Sequence, residues 1–284
     1  MHRKSLKPFF SSAVDTLQKA GIRDAEFDTQ ILFEEILHLP RHEFLRDDFL
    51  ISEEIETELE EKISRRAGGE PLQYILGYWE FFGRKYFVGE GVLIPRDDTE
   101  VVLRASLPHL KSREEPKILD LCSGSGILAI TLKCEFPSSD VTAVEISEKA
   151  LTYLKKNAEH NNADIKIIGE SLFDCYNSFE DSSLDLLISN PPYIKKSDLD
   201  NLQKEVLREP LLALDGGEDG CAFLRGIISL YTSKIKKGGM LAFELDAEEA
   251  EITKSLMLEK GFENIKIFED LGGIPRAITG ILRK

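Results

Sequence analysis

The tetrapeptide Asn190-Pro191-Pro192-Tyr193 joins two rigid residues to a pair of acceptors and a ring. Each proline fixes φ and lacks an N–H, so the segment offers its surroundings acceptors rather than donors. The Asn190 side-chain carbonyl and the Pro191 backbone carbonyl can both accept hydrogen bonds from one planar NH2 group. Tyr193 can stack on the flat group that carries that NH2. Asn-Pro dipeptides also mark plain turns. At the end of an apolar run, after a glycine-rich turn upstream, a binding role is the stronger reading.

That upstream turn is Asp120-Leu121-Cys122-Ser123-Gly124-Ser125-Gly126. It joins a short apolar strand, Ile118 to Leu121, to a helical run from Leu128. Glycines there let a ligand approach the backbone, and the helix start offers free N–H groups. Glu145 ends the next strand, 21 residues after Gly124. A carboxylate at that place can accept two hydrogen bonds from ribose hydroxyls, so the edge suits a nucleoside-bearing cofactor. Gly124 to Ala129 also satisfies the dinucleotide pattern G-x-G-x-x-G/A, which leaves a nicotinamide oxidoreductase open on these residues alone. Cys122 stands where many such loops carry glycine, so its φ must be one that a side chain tolerates. As a small thiol it reads as packing rather than as a nucleophile.

These groups need a scaffold that brings strand ends together. From about Pro116, apolar strands at Ile118–Leu121, Val141–Val144, Ile165–Ile168, Leu184–Ile188 and Met240–Leu245 alternate with helical runs at Leu128–Lys133, Ser147–His160, Ala222–Tyr231 and Glu248–Lys260. Such alternation predicts a parallel sheet covered on both faces. The closing runs Ile265–Phe268 and Ala277–Leu282 have no helix between them, so the last strand is expected to be an antiparallel insertion. The first seventy residues read as helical: Phe9, Phe10, Ala13, Val14 and Leu17 share one face, Phe27, Ile31, Leu32 and Ile36 a second, and Ser52 opens a third segment with Ile55, Leu59 and Ile63. A small bundle follows from their length and brief connections. Two aromatic runs around Gly83 predict a hairpin between bundle and sheet.

Composition excludes several classes. The chain has 284 residues, 51 acidic and 36 basic, for a formal charge of −15. Neither a grip on nucleic-acid phosphates nor a polybasic membrane anchor fits that balance. Four scattered cysteines show no metal or redox spacing. No run of about 18 apolar residues and no leader are apparent, so a cytoplasmic location with reduced thiols is expected. His2, His38, His42, His109 and His160 are scattered, which suits surface or capping roles, and no metal site is expected.

Asn190 to Tyr193 resembles the Asn/Asp-Pro-Pro-Tyr/Phe element of S-adenosylmethionine-dependent methyltransferases that act on amino or amide nitrogens. An amide nitrogen is a poor nucleophile because its lone pair is delocalised. Two acceptors pulling on its hydrogens localise that pair and aim it, so rate comes from orientation and electrostatics. Further segments narrow the match: Glu70 to Gly77, Trp79 to Gly83, Gly91 to Glu100, then Glu209-Pro210, Ala213-Leu214 and Gly216 to Gly220. Together they resemble the HemK-like peptide chain release factor glutamine methyltransferases over nearly the whole chain.

The resemblance implies an α/β fold: a seven-stranded Rossmann-like class I methyltransferase sheet with one antiparallel strand, a small N-terminal helical bundle and a β-hairpin linker. It implies domains at 1–70 for docking the substrate protein, 71–97 for the linker and 98–284 for methyl transfer. The implied reaction methylates the side-chain amide of the glutamine in the Gly-Gly-Gln tripeptide of class 1 release factors, leaving S-adenosylhomocysteine. By position, Asn190, Pro191, Pro192 and Tyr193 would hold the glutamine. Asp120 and Cys122, Ser123, Gly124, Ser125 and Gly126 would wrap the methionine part of the cofactor. Glu145 would hold the ribose with Ile146 beside it. Ser171, Leu172 and Phe173 would flank the adenine, and Arg96 and Thr99 would close the linker over it, with Asn190 again in reach. Two residues depart from the pattern, Cys122 for glycine and Asp97 for proline, and neither touches the chemistry. The nearest rival is the sister family that methylates a ribosomal protein, but Thr99-Glu100 looks more like the release-factor branch. A nucleic-acid adenine methyltransferase shares the NH2 chemistry and is opposed by the acidic balance. A cofactor-binding module without catalysis would have no use for an intact Asn-Pro-Pro-Tyr.

Overall fold

In a computed structural model that describes residues 4–44, 46 and 49–283, contacts divide the chain into two units. One runs to Gly77 and takes in Gln203–Arg208; the other comprises Tyr78–Leu202 and the chain from Glu209 onward. His2 lies outside the described residues.

The first unit is helical, with helices at Leu6–Lys19, Ala25–Leu37, Arg41–Phe44, Glu53–Ala67 and Leu72–Leu76. Its core is aromatic: the Phe10 and Phe33 rings meet edge-on at 5.1 Å, and Phe44 packs against both. The stripe read from the sequence is the one that turns inward, with Phe9, Phe10, Ala13 and Leu17 buried but Val14 only partly so. Ser52 caps the fourth helix through a long contact from the Ile55 N–H, 3.5 Å. Arg66 is buried and satisfied from within the unit, donating to Asp28 and Glu205 at 2.6 Å each.

The second unit is built on a seven-stranded sheet. Its strands are β1 Lys117–Leu121, β2 Asp140–Val144, β3 Lys166–Ile168, β4 Leu184–Ser189, β5 Ile235–Glu244, β6 Phe262–Glu269 and β7 Pro275–Leu282, in the spatial order 3-2-1-4-5-7-6. β1 to β5 pair in parallel, while β7 lies antiparallel between β5 and β6. The expected antiparallel insertion is therefore present, because a short loop joins β6 to β7 and only a helix allows a parallel return. Every residue of β4 is buried. Alternate residues feed opposite faces: Ile118, Leu186 and Ile188 join one core cluster, Leu119, Leu121 and Leu187 the other.

Two features exceed the sequence reading, and the hairpin expected around Gly83 is present. A helix at Thr99–Leu110 carries Pro108 in its last turn and buries Val102, Leu103 and Leu110. β5 starts at Ile235, five residues early, through the polar Lys236-Lys237-Gly238-Gly239 run, where the pairing with β4 shifts register. The Tyr78–Phe81 and Arg84–Phe87 hairpin turns on Phe82 and Gly83, both at positive φ, 51° and 70°, as a two-residue type I′ turn requires. Buried Asn157 holds that hairpin to the glycine turn. Its amide pairs with the Phe87 backbone at 2.6 and 3.0 Å and donates to the Ser125 carbonyl at 2.9 Å.

Candidate active site

Parallel pairing sets three strand ends side by side, since Leu121 is registered with both Val144 and Ser189. The residues that follow those ends, Cys122, Glu145 and Asn190, line one cavity at the carboxyl edge of the sheet. This is where open α/β sheets bind ligands.

The floor is the glycine turn. Asp120 is fully buried, and its Oδ2 accepts the Ala129 N–H at 3.2 Å. Its Oδ1 has no partner among the described residues. Burial pushes this carboxyl up to about 7, and the Glu145 charge adds to the rise. Cys122 takes φ 59°, in the left-handed region, which costs a side chain about 1 kcal/mol. Burial and the neighbouring Glu145 and Asp120 carboxylates push its thiol up, so it stays protonated. Gly126 needs to be glycine twice over: its φ is 88°, and a Cβ would meet Leu154 Cδ1 at 2.3 Å.

The Glu145 carboxylate is spanned by two backbone donors, Gly124 N–H at 2.7 Å and Ser147 N–H at 2.8 Å. It thereby ties the turn to the start of the helix Glu148–His160, and each oxygen keeps a lone pair for another donor. Ile146 beside it is half exposed. On the far wall Ser171 caps a short helix that carries Leu172 and Phe173. The Phe173 ring lies 5.8 Å from Phe223, which also lines the cavity.

The linker 91–96 forms the roof. Buried Glu209 fastens it, accepting the Ile94 N–H at 2.9 Å and pairing with Arg96. Thr99 is buried at the start of its helix, and its hydroxyl oxygen accepts the Asn190 Nδ2–H at 3.2 Å. The amide of Asn190 is thus oriented, with its NH2 engaged and its Oδ1 on the other side. Asn190 and Pro192 line the cavity, whereas Pro191, Gly126 and Tyr193 stand outside the lining. The Tyr193 hydroxyl donates to Glu244 Oε1 at 3.3 Å, and burial pushes the phenol up. Gly216 and Gly220 pack on the Tyr193 backbone, where a Cβ at Gly216 would come within 2.6 Å of Tyr193 Cα. That contact explains Gly216 and Gly220, while Gly217 takes a φ of 89°.

Sequence reasoning singled out neither Phe223, Glu209 nor Glu244 for the site. Glu209 carried a signal as part of the Glu209-Pro210 pair. Glu244 carried one as a charged end to an apolar strand.

A family model described as the methyltransferase small domain matches residues 98–218, and one described as the PrmC N-terminal domain matches residues 10–77. A release factor glutamine methyltransferase of Fusobacterium nucleatum is 36% identical over 276 residues, covering 95% of this chain and 77% of that protein. One of Geobacter sulfurreducens is 36% identical over 269 residues, covering 93% and 92%. The chain belongs to the release factor glutamine methyltransferase family. As a member it is a methyltransferase, and the resemblance drawn from its motifs holds. Solved structures agree on the fold. The hMettl16 catalytic domain superposes with a TM-score of 0.56 at 17% identity, covering 78% of this chain and 82% of that one. A methyltransferase of Pyrococcus furiosus gives 0.51 at 17%, covering 72% and 91%. The Rossmann-like class I sheet, expected from the sequence, is therefore the fold of this family member. No helix among the described residues is long and apolar enough to cross a membrane.

Proposed function

We propose that this protein transfers the methyl group of S-adenosylmethionine to the side-chain amide nitrogen of the glutamine in the Gly-Gly-Gln tripeptide of class 1 release factors. The observation that carries the reading is the oriented Asn190 amide. Its NH2 is engaged by Thr99, so its carbonyl oxygen is the part left to receive a substrate N–H. With the Pro191 carbonyl as second acceptor, one substrate NH2 is gripped at both hydrogens. Its lone pair is localised and held in line, which supplies rate through positioning rather than a base.

The cavity residues fit the cofactor. Asp120 Oδ1 is a buried acceptor lacking a partner among the described residues, on a carboxyl that lines the cavity; a cationic amino group answers both its charge and its lone pair. Glu145 has lone pairs left for two ribose hydroxyls. Leu172 and Phe173, with Phe223, offer a flat apolar slot for a base. When bound, S-adenosylmethionine supplies an electrophilic methyl carbon on a sulfonium. Ser123, Gly124 and Ser125 would cradle the methionine portion, Ile146 and Ser171 would border the nucleoside, and Arg96, held by Glu209, would keep the roof closed and water out. Tyr193, its hydroxyl tied to Glu244, would stack its ring on the substrate amide.

The helical residues 1–70 are read as the docking domain for the release factor, 71–97 as the linker and 98–284 as the domain of methyl transfer, in the cytoplasm where translation runs. The test incubates the protein with labelled methyl donor and, in parallel, purified release factor, ribosomal proteins and DNA. Label on the release factor is expected, and Asn190→Ala should cut the rate by at least about 100-fold. Label on DNA or on a ribosomal protein alone overturns the reading.

A further inference from the structure

The row of strand ends that sets Cys122, Glu145 and Asn190 side by side continues across the sheet. Ser189 is registered with Phe243, and Phe243 with Ile278. Cofactor-cavity residues occupy the β1 and β2 side of Asn190, so the ends of β5, β7 and β6 form its other flank. The turn from β6 to β7 stands at that same edge, beginning two strands beyond β4, or about 10 Å at ordinary strand spacing. Arg276 ties the turn to the site. It pairs with Asp270 at 3.0 Å and with Asp98 at 3.2 Å, and Asp98 precedes Thr99, which holds the Asn190 amide.

The turn is rigid and carries an apolar side chain that its shape does not need. Asp270 Oδ1 accepts the Gly272 N–H at 2.8 Å and the Ile274 N–H at 3.0 Å. The Asp270 N–H donates to the Ile274 carbonyl at 2.8 Å, and the Gly273 N–H to the Asp270 carbonyl at 3.1 Å, with Gly273 at φ 79°. Backbone groups and one carboxylate thus define the turn and leave Leu271 free to vary. Turns favour glycine, proline and small polar residues, yet Leu271 is fully exposed, with Ile274 exposed at the base. Single surface leucines are ordinary. Leu258 is one, on the helix Ala250–Glu259 just before β6 begins at the opposite edge. Leu271 differs in being held out on a fixed turn beside the site that a protein substrate must reach, and a preformed turn loses little freedom on binding. Its surroundings are acidic: Arg276 is shared among Asp98, Asp246 and Asp270, and Glu269 is exposed next to Asp270. Four carboxylates against one guanidinium favour a basic partner.

We propose that the turn 270–274 is a docking element for the release factor: Leu271 enters an apolar socket on that protein, beside its Gly-Gly-Gln loop and ringed by basic side chains. The assignment rests on the function proposed above and adds to it the surface that brings the acceptor glutamine to Asn190. Binding energy gathered at Leu271 is the same before and during methyl transfer, so it belongs in KM for the release factor and not in kcat.

The test uses the full chain and purified release factor, with steady-state methylation for KM and kcat and a separate titration for direct binding. Leu271→Ser should raise KM and the binding Kd for the release factor by about tenfold. Its kcat at saturating release factor should stay within about twofold of wild type, and cofactor Kd and melting temperature should hold, because the side chain is exposed. Leu271→Met should keep most of the affinity. Leu271→Lys should lose more than Leu271→Glu, since the socket is ringed by cations. Leu258→Ser should change nothing. Release-factor binding within about twofold of wild type for Leu271→Ser overturns the proposal, as does an equal loss for Leu258→Ser or the reverse order of Lys and Glu. Self-association of the protein that Leu271→Ser abolishes would assign the turn to a second copy and also overturn it. If wild type binds the release factor through Leu271 yet leaves it unlabelled, the methylation reading fails alone. If wild type labels it and Leu271→Ser binds and labels it equally well, the docking role fails alone.

Discussion

Replacing Asp120 by asparagine should stabilise the cofactor-free protein at alkaline pH while weakening cofactor binding. The carboxyl is fully buried, and its folded-state pKa rises from 3.8 to about 7. Because the folded value lies above the unfolded one, the folded state holds the proton longer. The favourable contribution is present below about pH 4 and is lost as pH rises through 7. A displacement of about 3 units corresponds to roughly 4 kcal/mol at pH 8. Asparagine abolishes that loss and keeps an oxygen for the Ala129 N–H, but its NH2 then occupies the position where Oδ1 has no partner, at a cost of about 1–3 kcal/mol. The net gain is about 2 kcal/mol at pH 8, or about 3 °C in melting temperature for a chain of this size. Near pH 5 the loss that asparagine abolishes falls to about 1.6 kcal/mol, which the cost of the unpaired NH2 offsets, so the variant should be equal or slightly worse. Urea unfolding of both proteins from pH 5 to 8.5 reads the difference directly. Comparing the two cancels the parallel contributions of Glu244 and Glu249, which burial also pushes up to about 7. A difference that is flat with pH, or a variant that binds S-adenosylmethionine as tightly as wild type, would refute the reasoning.

Two further substitutions probe the scaffold. Gly216→Ala places a methyl 2.6 Å from Tyr193 Cα and 2.7 Å from its carbonyl carbon; backbone cannot yield as a side chain can, so the Asn-Pro-Pro-Tyr segment must shift. Methyl transfer should fall by at least about tenfold, measured at saturating cofactor, with cofactor binding little changed. Asn157→Ala removes three hydrogen bonds between the hairpin, the helix Glu148–His160 and the glycine turn. It should cost about 3 kcal/mol in urea unfolding and hasten proteolysis in the hairpin.

What the sequence disclosed was chemistry that is local along the chain. The glycine turn, Glu145 and Asn190 each sit where an apolar strand stops, and special backbone residues flank two of them. Parallel alternation then fixed which ends lie together. Antiparallel insertion of β7 was legible from the missing helix before it. The Thr99–Leu110 helix was less so, because Pro108 interrupts its pattern. Long-range partners carried no such mark. Glu244 reads as the end of a strand until the fold sets it beside Thr99 and Tyr193, and Phe223 reads as one apolar residue of a helix until it faces Phe173. Tyr193 shows the limit most clearly. From sequence only its ring was read, as a platform for the substrate, whereas the partner of its hydroxyl, Glu244, lies 51 residues further along the chain. Local rigidity predicts that a segment matters, and only packing decides which way each side chain turns.

The proposed reaction alters one nitrogen atom. Purified release factor is methylated with the wild-type protein and with Asn190→Ala, digested, and fragmented by mass spectrometry to locate the added methyl. The methyl is expected on the side-chain amide nitrogen of the Gly-Gly-Gln glutamine, with near-complete loss in the variant. A methyl on any other atom, or full modification by Asn190→Ala, would contradict it.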